Sequence, residues 1–481
     1  MKPPLACCNC RVRKKKCDRA YPICSYCLKT HDRCSYRIHG SSLKPRRRAL
    51  VATISDIPQR TALSTAAMFL DYSLFQVSLS HTLTSNVPIG PELRDYVISD
   101  NELSRRIDAF INVFDAWMPF IPRQELREKL SGRATQPHGE DILLFACIRN
   151  LTEPLEEENP ATKQYLAIKS VFIGAEVAGV ITIPLLQALL LVLLYEFGHG
   201  LYPSAYMTLG TCTRYLVILG INGAGPSPIG AKSWIEEEKQ RRLWWAVFIM
   251  ERAIALGCPQ RSLSIPEPDN NKVLPSDELS WEHESPSPQS SLTLASPPMS
   301  NMGNFRLLVH ACCLLGRVLQ YISDDSSYEH SGALQIYNTI CALIKVLEVE
   351  ATCGMSVSVP RSILHSAIFT LCSAAGYIEP GHPVQQSPRH FSASDFLKRA
   401  REFLNGNLGT VGQTSPFLIH WGFQAFQYYY LAYQQDGRPE NEQAVEDLEK
   451  SFHVLERRWK LAGIYTTLLN ASQEELIMDK Q

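Results

Sequence analysis

From about residue 100 onward, apolar residues recur at spacings of three and four in one segment after another, and runs of alternating strand character are few. This period is that of helices that bury one face. Between Phe305 and Ile322 the apolar residues form such a stripe, and His310 is interpreted as a boundary residue. Together these stripes predict a large all-α domain over residues 100–481. Further helices are predicted near 142–149, 185–197, 243–256, 336–349, 363–377, 417–433 and 444–469.

Two other stretches bear on the class of protein. The longest apolar stretch, Leu185 to Tyr195, is interrupted by Gln187 and falls short of the roughly 18 apolar residues of a membrane helix. It therefore predicts a buried helix, and no membrane partner is expected. The N-terminal residues contain no apolar segment of a signal peptide, so the chain is expected in a reducing compartment.

The Ser/Pro-rich stretch 285–300 predicts a disordered loop that divides the body.

Charge and cysteine are both concentrated at the N-terminus of this 481-residue chain, whose length predicts two or three cores. Residues 1–50 contain 14 Lys and Arg against two Asp, a net charge of +12, whereas residues 51–481 carry −13. Seven of the 15 cysteines lie within the first 34 residues. A basic head on an acidic body predicts binding to a polyanion such as nucleic acid. A solvated basic tail is the alternative.

Six of these cysteines form one spacing used twice, Cys-x2-Cys-x6-Cys. They are Cys7, Cys10, Cys17, Cys24, Cys27 and Cys34. A segment this short and polar cannot fold on apolar burial alone. Disulfides are disfavoured in a reducing compartment, so the cysteines predict a metal site, with zinc the metal that suits sets of four thiolates.

The number of thiolates limits how zinc can bind. One zinc ion would use four cysteines and leave two without a role, whereas two ions need two thiolates that bridge both metals. The repeat makes the leading cysteine of each half, Cys7 and Cys24, the natural bridging pair. Two zinc ions are therefore expected. Cys8 lies outside the spacing and is interpreted as a free thiol.

The run from Ala6 to Asp18, ACCNCRVRKKKCD, followed by Pro22, Cys24 and Cys27, resembles the fungal zinc binuclear cluster DNA-binding family. This resemblance implies a small metal-stapled N-terminal domain over residues 1–38, in which two short helices surround a two-zinc cluster. The six cysteines of the repeat would be the metal ligands. The segment between Cys10 and Cys17 is expected to form a short, rigid, basic helix.

The resemblance also implies that this helix enters the major groove of double-stranded DNA. Arg13 and Lys14 are assigned to base edges of a CGG-like triplet. Residues assigned to phosphates are Arg11, Lys15 and Lys16, with Lys29, Arg33 and Arg37 in the second half. A basic linker over 39–60 contains Arg46, Arg47 and Arg48, which could add phosphate contacts or act as a nuclear import signal.

Residues 61–99 leave the oligomeric state open. Their apolar positions at heptad spacing are Leu63, Ala67, Leu70, Leu74 and Val77. The match lasts barely two heptads, fewer than the three or four that predict a coiled coil. Two interpretations remain, a short helix that forms a homodimer and a helix docked on the body.

Parts of the body resemble the helical regulatory region of fungal transcription factors, over roughly residues 100–275. The first matching signature comprises Leu185 to Leu191, Tyr195 to Gly198 and Gly210 to Gly220, and the second matching segment is Arg241 to Ala246, RRLWWA. Within the second segment, Arg242 and the two tryptophans are interpreted as helix-packing residues, with an ion pair to Glu236 or Glu238, rather than as a ligand site.

The body contains no HExxH, P-loop, GxSxG or kinase motif, so the chain is expected not to be an enzyme. The sequence predicts a nuclear, zinc-dependent, sequence-specific transcription factor of RNA polymerase II genes, acting on a metabolic or secondary-metabolite gene set. Transcription machinery or co-regulators are the expected partners, and the body could enclose a small-molecule effector. The alternative is a zinc-stabilised protein-interaction module, or an effector-sensing protein, without specific DNA readout.

Overall fold

A computed structural model of the chain contains two compact units, which divide between Leu63 and Ser64. It describes residues 6–20, 23–30, 34, 87–98, 101–132, 138–155, 157–221, 233–286, 292–299, 302–324, 330–352, 358–374, 387–407 and 411–478. The first unit contains α1 (Cys8–Val12) and α2 (Ser25–Lys29). The heptad stripe, the arginines at 33, 37 and 46–48, and the side chain of Cys8 lie outside the described residues.

The second unit is a helical body. Its helices are α3 (Pro91–Ile98), α4 (Leu103–Phe110), α5 (Arg123–Gly132), α6 (Gly139–Thr152), α7 (Lys163–Val177), α8 (Ile183–Gly198), α9 (Ser204–Ile218), α10 (Trp234–Ala255), α11 (Glu278–Glu282), α12 (Asn304–Ser323), α13 (His330–Thr352), α14 (Ser358–Ala374), α15 (Pro388–Leu404), α16 (Phe417–Asp436), α17 (Pro439–Glu456) and α18 (Leu461–Met478). Over the residues that the structure describes, no extended strand accompanies them, only a single isolated bridge between Val273 and Thr293. The predicted architecture, a small N-terminal domain followed by a large all-α domain, is confirmed.

Helix α8 is buried on nearly all sides, as its apolar sequence predicts. Thr182 caps its first turn, because its hydroxyl oxygen accepts a hydrogen bond from a backbone N–H. Its two buried polar side chains both have partners. Gln187 donates to the Phe120 carbonyl at 3.2 Å, and the Glu196 carboxylate accepts from the Tyr165 hydroxyl at 2.7 Å. Such bonds offset the cost of burying polar groups and fix the position of the helix.

Two helices are long and apolar enough to cross a membrane by length and composition, Asn304–Ser323 and Gly332–Ala351, which are 78% and 28% buried. The first contains the buried Arg306, whose Nε donates to the Pro275 carbonyl at 2.6 Å, as expected of a core helix. The second exposes polar residues such as Gln335. Composition is therefore weak evidence for a membrane span in either helix.

One predicted helix is two helices in the structure. The stripe at 444–469 predicts a continuous helix, but α17 ends at Glu456 and α18 begins at Leu461. Trp459, in the connection, is fully buried, and its Nε1 donates to the Thr414 carbonyl at 2.9 Å. Its ring packs against Gly198, where a side chain of any size would collide with it. The apolar periodicity continues through the break because the connection itself belongs to the core.

The Ser/Pro-rich stretch does not divide the body, since one hydrophobic core extends through the helices on both sides of it. Part of the stretch, residues 292–299, is held by backbone hydrogen bonds. Leu274 N–H donates to the Leu292 carbonyl at 2.8 Å, and Leu294 N–H donates to the Lys272 carbonyl at 2.9 Å. The expectation of a disordered loop is wrong for these residues, because their peptide groups are paired with a neighbouring segment.

Three positions are more deeply buried than the sequence pattern indicates. Leu93 and Val97 of α3 belong to the core of the body, which therefore includes residues before 100. His310 is buried rather than at a boundary, and burial lowers its pKa to about 4. The interpretation as a boundary residue is wrong because α12 is covered on most of its sides, so its stripe does not separate core from solvent.

A buried ion pair in α10 connects three parts of the body. Arg242 and Glu238 have no exposed side-chain surface and approach to 2.8 Å. Arg242 also donates to the Pro119 carbonyl at 2.9 Å and to the Ser276 carbonyl at 2.8 Å. Its guanidinium carbon lies 4.3 Å from the centre of the Trp281 ring. The predicted ion pair is formed with Glu238, and Arg242 serves packing.

Substitution of Glu238 by Gln should lower the free energy of unfolding of the body by about 3–5 kcal/mol, because Arg242 would stay buried without an opposite charge. Urea denaturation of the full-length chain measures the loss. Glu237→Gln is the matched control, since Glu237 forms no ion pair with any described residue, and should change stability by less than about 0.5 kcal/mol. Equal effects of the two variants would contradict this account.

Candidate metal centre and nucleic-acid interface

Each half of the cysteine repeat begins at the N-cap of a short helix. Cys7 precedes α1 with φ −58° and ψ 156°, and Cys24 precedes α2 with φ −73° and ψ 151°. The two-residue spacing places Cys10 and Cys27 in the first turn of these helices, next to the leading cysteine. The backbone N–H of Cys10 accordingly donates to Cys7 Sγ at 3.4 Å. The sequence repeat is therefore also a repeat of backbone geometry.

The sulfur atoms form two overlapping groups of four. One group is Cys7, Cys10, Cys17 and Cys24, and the other is Cys7, Cys24, Cys27 and Cys34. Within each group all the sulfur atoms lie within 4.8 Å of one another. Only Cys7 and Cys24 belong to both groups. Two tetrahedral metal ions require this kind of sharing when six thiolates must fill eight ligand positions.

The sulfur spacing and chemistry fit zinc. Tetrahedral ligands at 2.3 Å from a zinc ion lie about 3.8 Å apart. Cys7 Sγ is 3.7 Å from both Cys24 Sγ and Cys27 Sγ, and Cys10 Sγ is 3.6 Å from Cys24 Sγ. Burial raises the pKa of the Cys10 thiol, and a bound zinc ion would displace its proton.

The cysteines are also the core of the first unit. Its buried core residues are Cys7, Cys10, Cys24 and Cys27, against which Cys17, Tyr26 and Cys34 pack. The described part of this unit contains no aliphatic cluster that could hold its two halves together. Metal ligation must therefore supply most of its folding free energy.

The basic run leaves α1 instead of continuing it. The helix ends at Val12, Lys14 adopts a left-handed φ of 51°, and the Lys15 N–H donates to the Cys10 carbonyl at 2.9 Å. A helix continued to Cys17 would carry that residue about 10 Å along the axis from Cys10. The expected basic helix between these cysteines is therefore wrong, because the chain has to reverse to return Cys17 to the sulfur cluster.

The cations of this turn are exposed to solvent. Exposed side chains assigned to DNA are Arg11, Arg13, Lys14, Lys15, Lys16 and Lys29. Within the described part of the chain, the lysines at 14, 15 and 16 form no ion pair. The first five are brought together on one turn beside the sulfur atoms, while Lys29 ends α2 in the other half. These three lysines thus present uncompensated positive charge on a constrained backbone.

Asp18 connects the two halves, a role that the sequence analysis missed. Its Oδ1 accepts from the Ser25 backbone N–H at 3.0 Å, and its Oδ2 accepts a short hydrogen bond from the Ser25 hydroxyl. The hydroxyl bond, followed by the backbone bond, lowers the pKa of Asp18. An acidic residue just before a helix is a recognisable sequence signal for the N-terminus of that helix. Here it comes from the other half of the repeat, which sequence proximity does not indicate.

Two known protein families match this chain, one at the cysteine cluster and one in the helical body. The fungal Zn(2)-Cys(6) binuclear cluster domain matches residues 5–41, and the fungal specific transcription factor domain matches residues 108–345. The chain belongs to the fungal zinc binuclear cluster transcription factors. The N-terminal domain of this family binds two zinc ions, in agreement with the clustered sulfur atoms.

Curated relatives are transcription factors as well, and not enzymes. Transcription factor BOA15 of Botryotinia fuckeliana is 27% identical over 179 residues, which is 37% of this chain and 98% of BOA15. The azaphilone cluster-specific transcription factor azaR of Aspergillus niger is 23% identical over 274 residues, 53% of this chain and 58% of azaR. Oleate activated transcription factor 3 of Kluyveromyces lactis is 57% identical over 35 residues, 7% of this chain and 5% of that protein. The chain thus spans just over half the length of azaR.

The transcription factor domain extends further than the resemblance indicates, to residue 345 rather than about 275. The tryptophans of its RRLWWA segment serve packing. Trp245 Nε1 donates to the Val273 carbonyl at 3.0 Å, and Lys272 Nζ lies 3.3 Å from the centre of the Trp244 ring. Burial lowers the pKa of Lys272 to about 8. The apolar pattern does not indicate a role for Lys272, because this residue lies outside any helical stripe.

Substitution of Asp18 by Ala should speed the release of zinc from the zinc cluster, because α2 loses the acceptor that ties it to the first half. Transfer of zinc from the full-length protein to a chromophoric chelator measures the rate. Ser25→Ala removes the hydroxyl bond but keeps the backbone bond, and should have a smaller effect. If Asp18→Ala releases zinc at the rate of the unmodified protein, the connection does not contribute to the cluster.

Proposed function

We propose that the protein is a nuclear, zinc-dependent transcription factor that binds specific sequences in double-stranded DNA and regulates RNA polymerase II genes. The observation that carries the proposal is the exposed basic turn between Cys10 and Cys17, whose two ends lie in the sulfur cluster. A constrained turn presents its cations in one geometry, which base recognition requires. A flexible basic tail would supply only sequence-independent attraction to phosphates.

Two roles are assigned to the cations. Arg13 and Lys14, at the reversal of the chain, read base edges of a CGG-like triplet in the major groove. Residues that neutralise phosphates are Arg11, Lys15, Lys16 and Lys29, with Arg46, Arg47 and Arg48 of the linker. The net charge of +12 over residues 1–50 supports this division, since most of it must act through phosphates whatever the sequence.

The six cysteines of the repeat are assigned as the zinc ligands. Cys7 and Cys24 bridge the two ions, Cys10 and Cys17 complete one site, and Cys27 and Cys34 complete the other. The two sulfur groups support this assignment because each offers four donors and they share two members. Bound zinc supplies no redox chemistry here and serves to fix the fold of the turn.

The regulated genes form a metabolic or secondary-metabolite set. Support comes from azaR, a relative that is named as specific to an azaphilone cluster. Transcription machinery or co-regulators bind the protein in this proposal, and a homodimer could read two triplets. The target sites selected by the full-length protein would reveal one triplet or two at fixed separation.

Zinc content distinguishes bridging from terminal cysteines. The full-length protein, purified reduced, should contain two zinc ions per chain by elemental analysis. Cys17→Ser leaves one sulfur group intact and should retain one ion, whereas Cys24→Ser damages both groups and should retain less than one. Cys8→Ser, outside the repeat, is the control and should retain two. Retention of one ion by both Cys17→Ser and Cys24→Ser would contradict the bridging role.

Lysine substitutions distinguish base readout from phosphate binding. Lys14→Gln should cost about 1–3 kcal/mol of binding free energy on the selected site and relax the preference at one base pair. Lys16→Gln should weaken binding to all sequences similarly and reduce the slope of log affinity against log salt by about one. Fluorescence anisotropy with the selected site, its single-base variants and scrambled DNA measures both.

Glutamine has a Cβ and a length similar to that of lysine. Lys14→Gln therefore does not change the cost of the left-handed φ at that position. Equal losses on selected and scrambled DNA would refute the base-reading role of Lys14. If the unmodified protein selects no sequence from a random pool, the cluster is instead a zinc-stabilised protein-interaction module.

A further inference from the structure

A cavity of about 130 Å³ lies between α9, α10 and the loop that follows α10. Its apolar wall consists of Met207, Leu209, Ile254, Ala255 and Leu263. These residues come from three separate elements, so the cavity exists only when the two helices and the loop are packed together. It belongs to the body and involves none of the residues assigned to zinc or DNA.

Two guanidinium groups line the same cavity without an acidic partner. Arg214 is exposed and Arg261 is half-buried, and neither forms an ion pair with any residue that the structure describes. The Arg261 guanidinium carbon lies 4.4 Å from the centre of the Tyr206 ring and 5.5 Å from that of Tyr202. The guanidinium of Arg261 therefore lies over two tyrosine rings. Among the described residues, the side-chain N–H groups of Arg261 make no hydrogen bond.

The cavity lining contains one acidic residue, and its charge is already matched. Glu251 is buried, and its Oε2 approaches Arg252 Nη1 to 2.6 Å. Its Oε1 accepts from the Ser264 backbone N–H at 2.6 Å, and Oε2 also accepts from Ile265 N–H at 3.1 Å. The carboxylate therefore anchors the loop to α10. The uncompensated charge of the lining is that of Arg214 and Arg261.

We propose that this cavity binds a small organic acid. Its carboxylate pairs with Arg214 and Arg261, and its apolar part occupies the space beside Met207, Ile254 and Leu263. Guanidinium groups favour carboxylates because two parallel N–H donors match two oxygens. An apolar wall with a few convergent polar groups is the usual composition of a small-molecule site.

The volume limits the size of the ligand. An apolar cavity of about 150 Å³ in a protein core takes up benzene. A cavity of about 130 Å³ therefore accepts one ring or a short branched chain, with the carboxylate at the exposed arginine.

Ligand binding would couple to the conformation of the body. The loop is attached to α10 through Glu251 and through Arg252, whose Nη2 donates to the Ile265 carbonyl at 3.0 Å. A ligand that contacts both this loop and α9 favours the state in which the two are packed. The cavity is thus placed to sense a metabolite within the regulatory region.

The test uses benzoate as the probe and benzamide as its neutral counterpart of the same shape. Isothermal titration calorimetry of the full-length, zinc-loaded protein without DNA should show one saturable benzoate site per chain. Benzamide should bind roughly tenfold more weakly or worse, as should benzoate to Arg214→Gln or Arg261→Gln. Arg127→Gln, an exposed arginine that does not line the cavity, should bind benzoate as the unmodified protein does.

A further variant protects the test against simple unfolding. Met207→Trp, at an exposed lining position, should block benzoate with both arginines present, and circular dichroism melting checks that each variant is folded. Absence of saturable benzoate binding, equal binding of benzamide, or unchanged binding to both arginine variants overturns the proposal. DNA is absent from these titrations, so their failure is separate from failure of the proposed DNA readout.

Discussion

The clustering of six sulfur atoms is the constraint on which the DNA-facing part of the protein depends. Among the described residues of the first unit, the buried core consists of cysteines, so metal binding and folding are coupled there. The constraint also decides where the cations lie. Because Cys17 has to return to the cluster, α1 ends at Val12 and the chain reverses at Lys14. The basic turn is therefore a consequence of metal geometry rather than of helix propensity.

The body is organised by a different interaction, the buried ion pairs of α10. Glu238 with Arg242, and Glu251 with Arg252, lie successively along one helix. Each pair also bonds the backbone of a loop, at Ser276 and Ile265 respectively. A purely apolar helix could not attach loops in this way, since their peptide groups would lose hydrogen bonds on burial. Helix α10 thus fixes the loop that borders the cavity through Glu251 and Arg252, and it fixes a second loop, at Ser276, through Glu238 and Arg242.

Local patterns were sufficient to predict several helices of the body and the two cysteines that lie in both sulfur groups. The stripe at 185–197 became Ile183–Gly198, and the cysteine spacing singled out Cys7 and Cys24, the two sulfurs common to both groups. Features that depend on contacts between separate segments of the chain were not predictable. The reversal at Lys14 serves a sulfur site, and the break at Trp459 exists because that ring fills a space beside Gly198. Neither requirement is visible in a window of neighbouring residues.

The two units differ in how they respond to damage. In the body, apolar contacts are spread over many helices, so truncating one buried leucine to alanine costs about 2–5 kcal/mol out of a large apolar core. In the first unit, Cys7 and Cys24 lie in both sulfur groups, so the loss of either sulfur atom removes a donor from both groups. Loss of zinc would therefore unfold the first unit, whereas the body keeps an apolar core that contains none of the clustered cysteines.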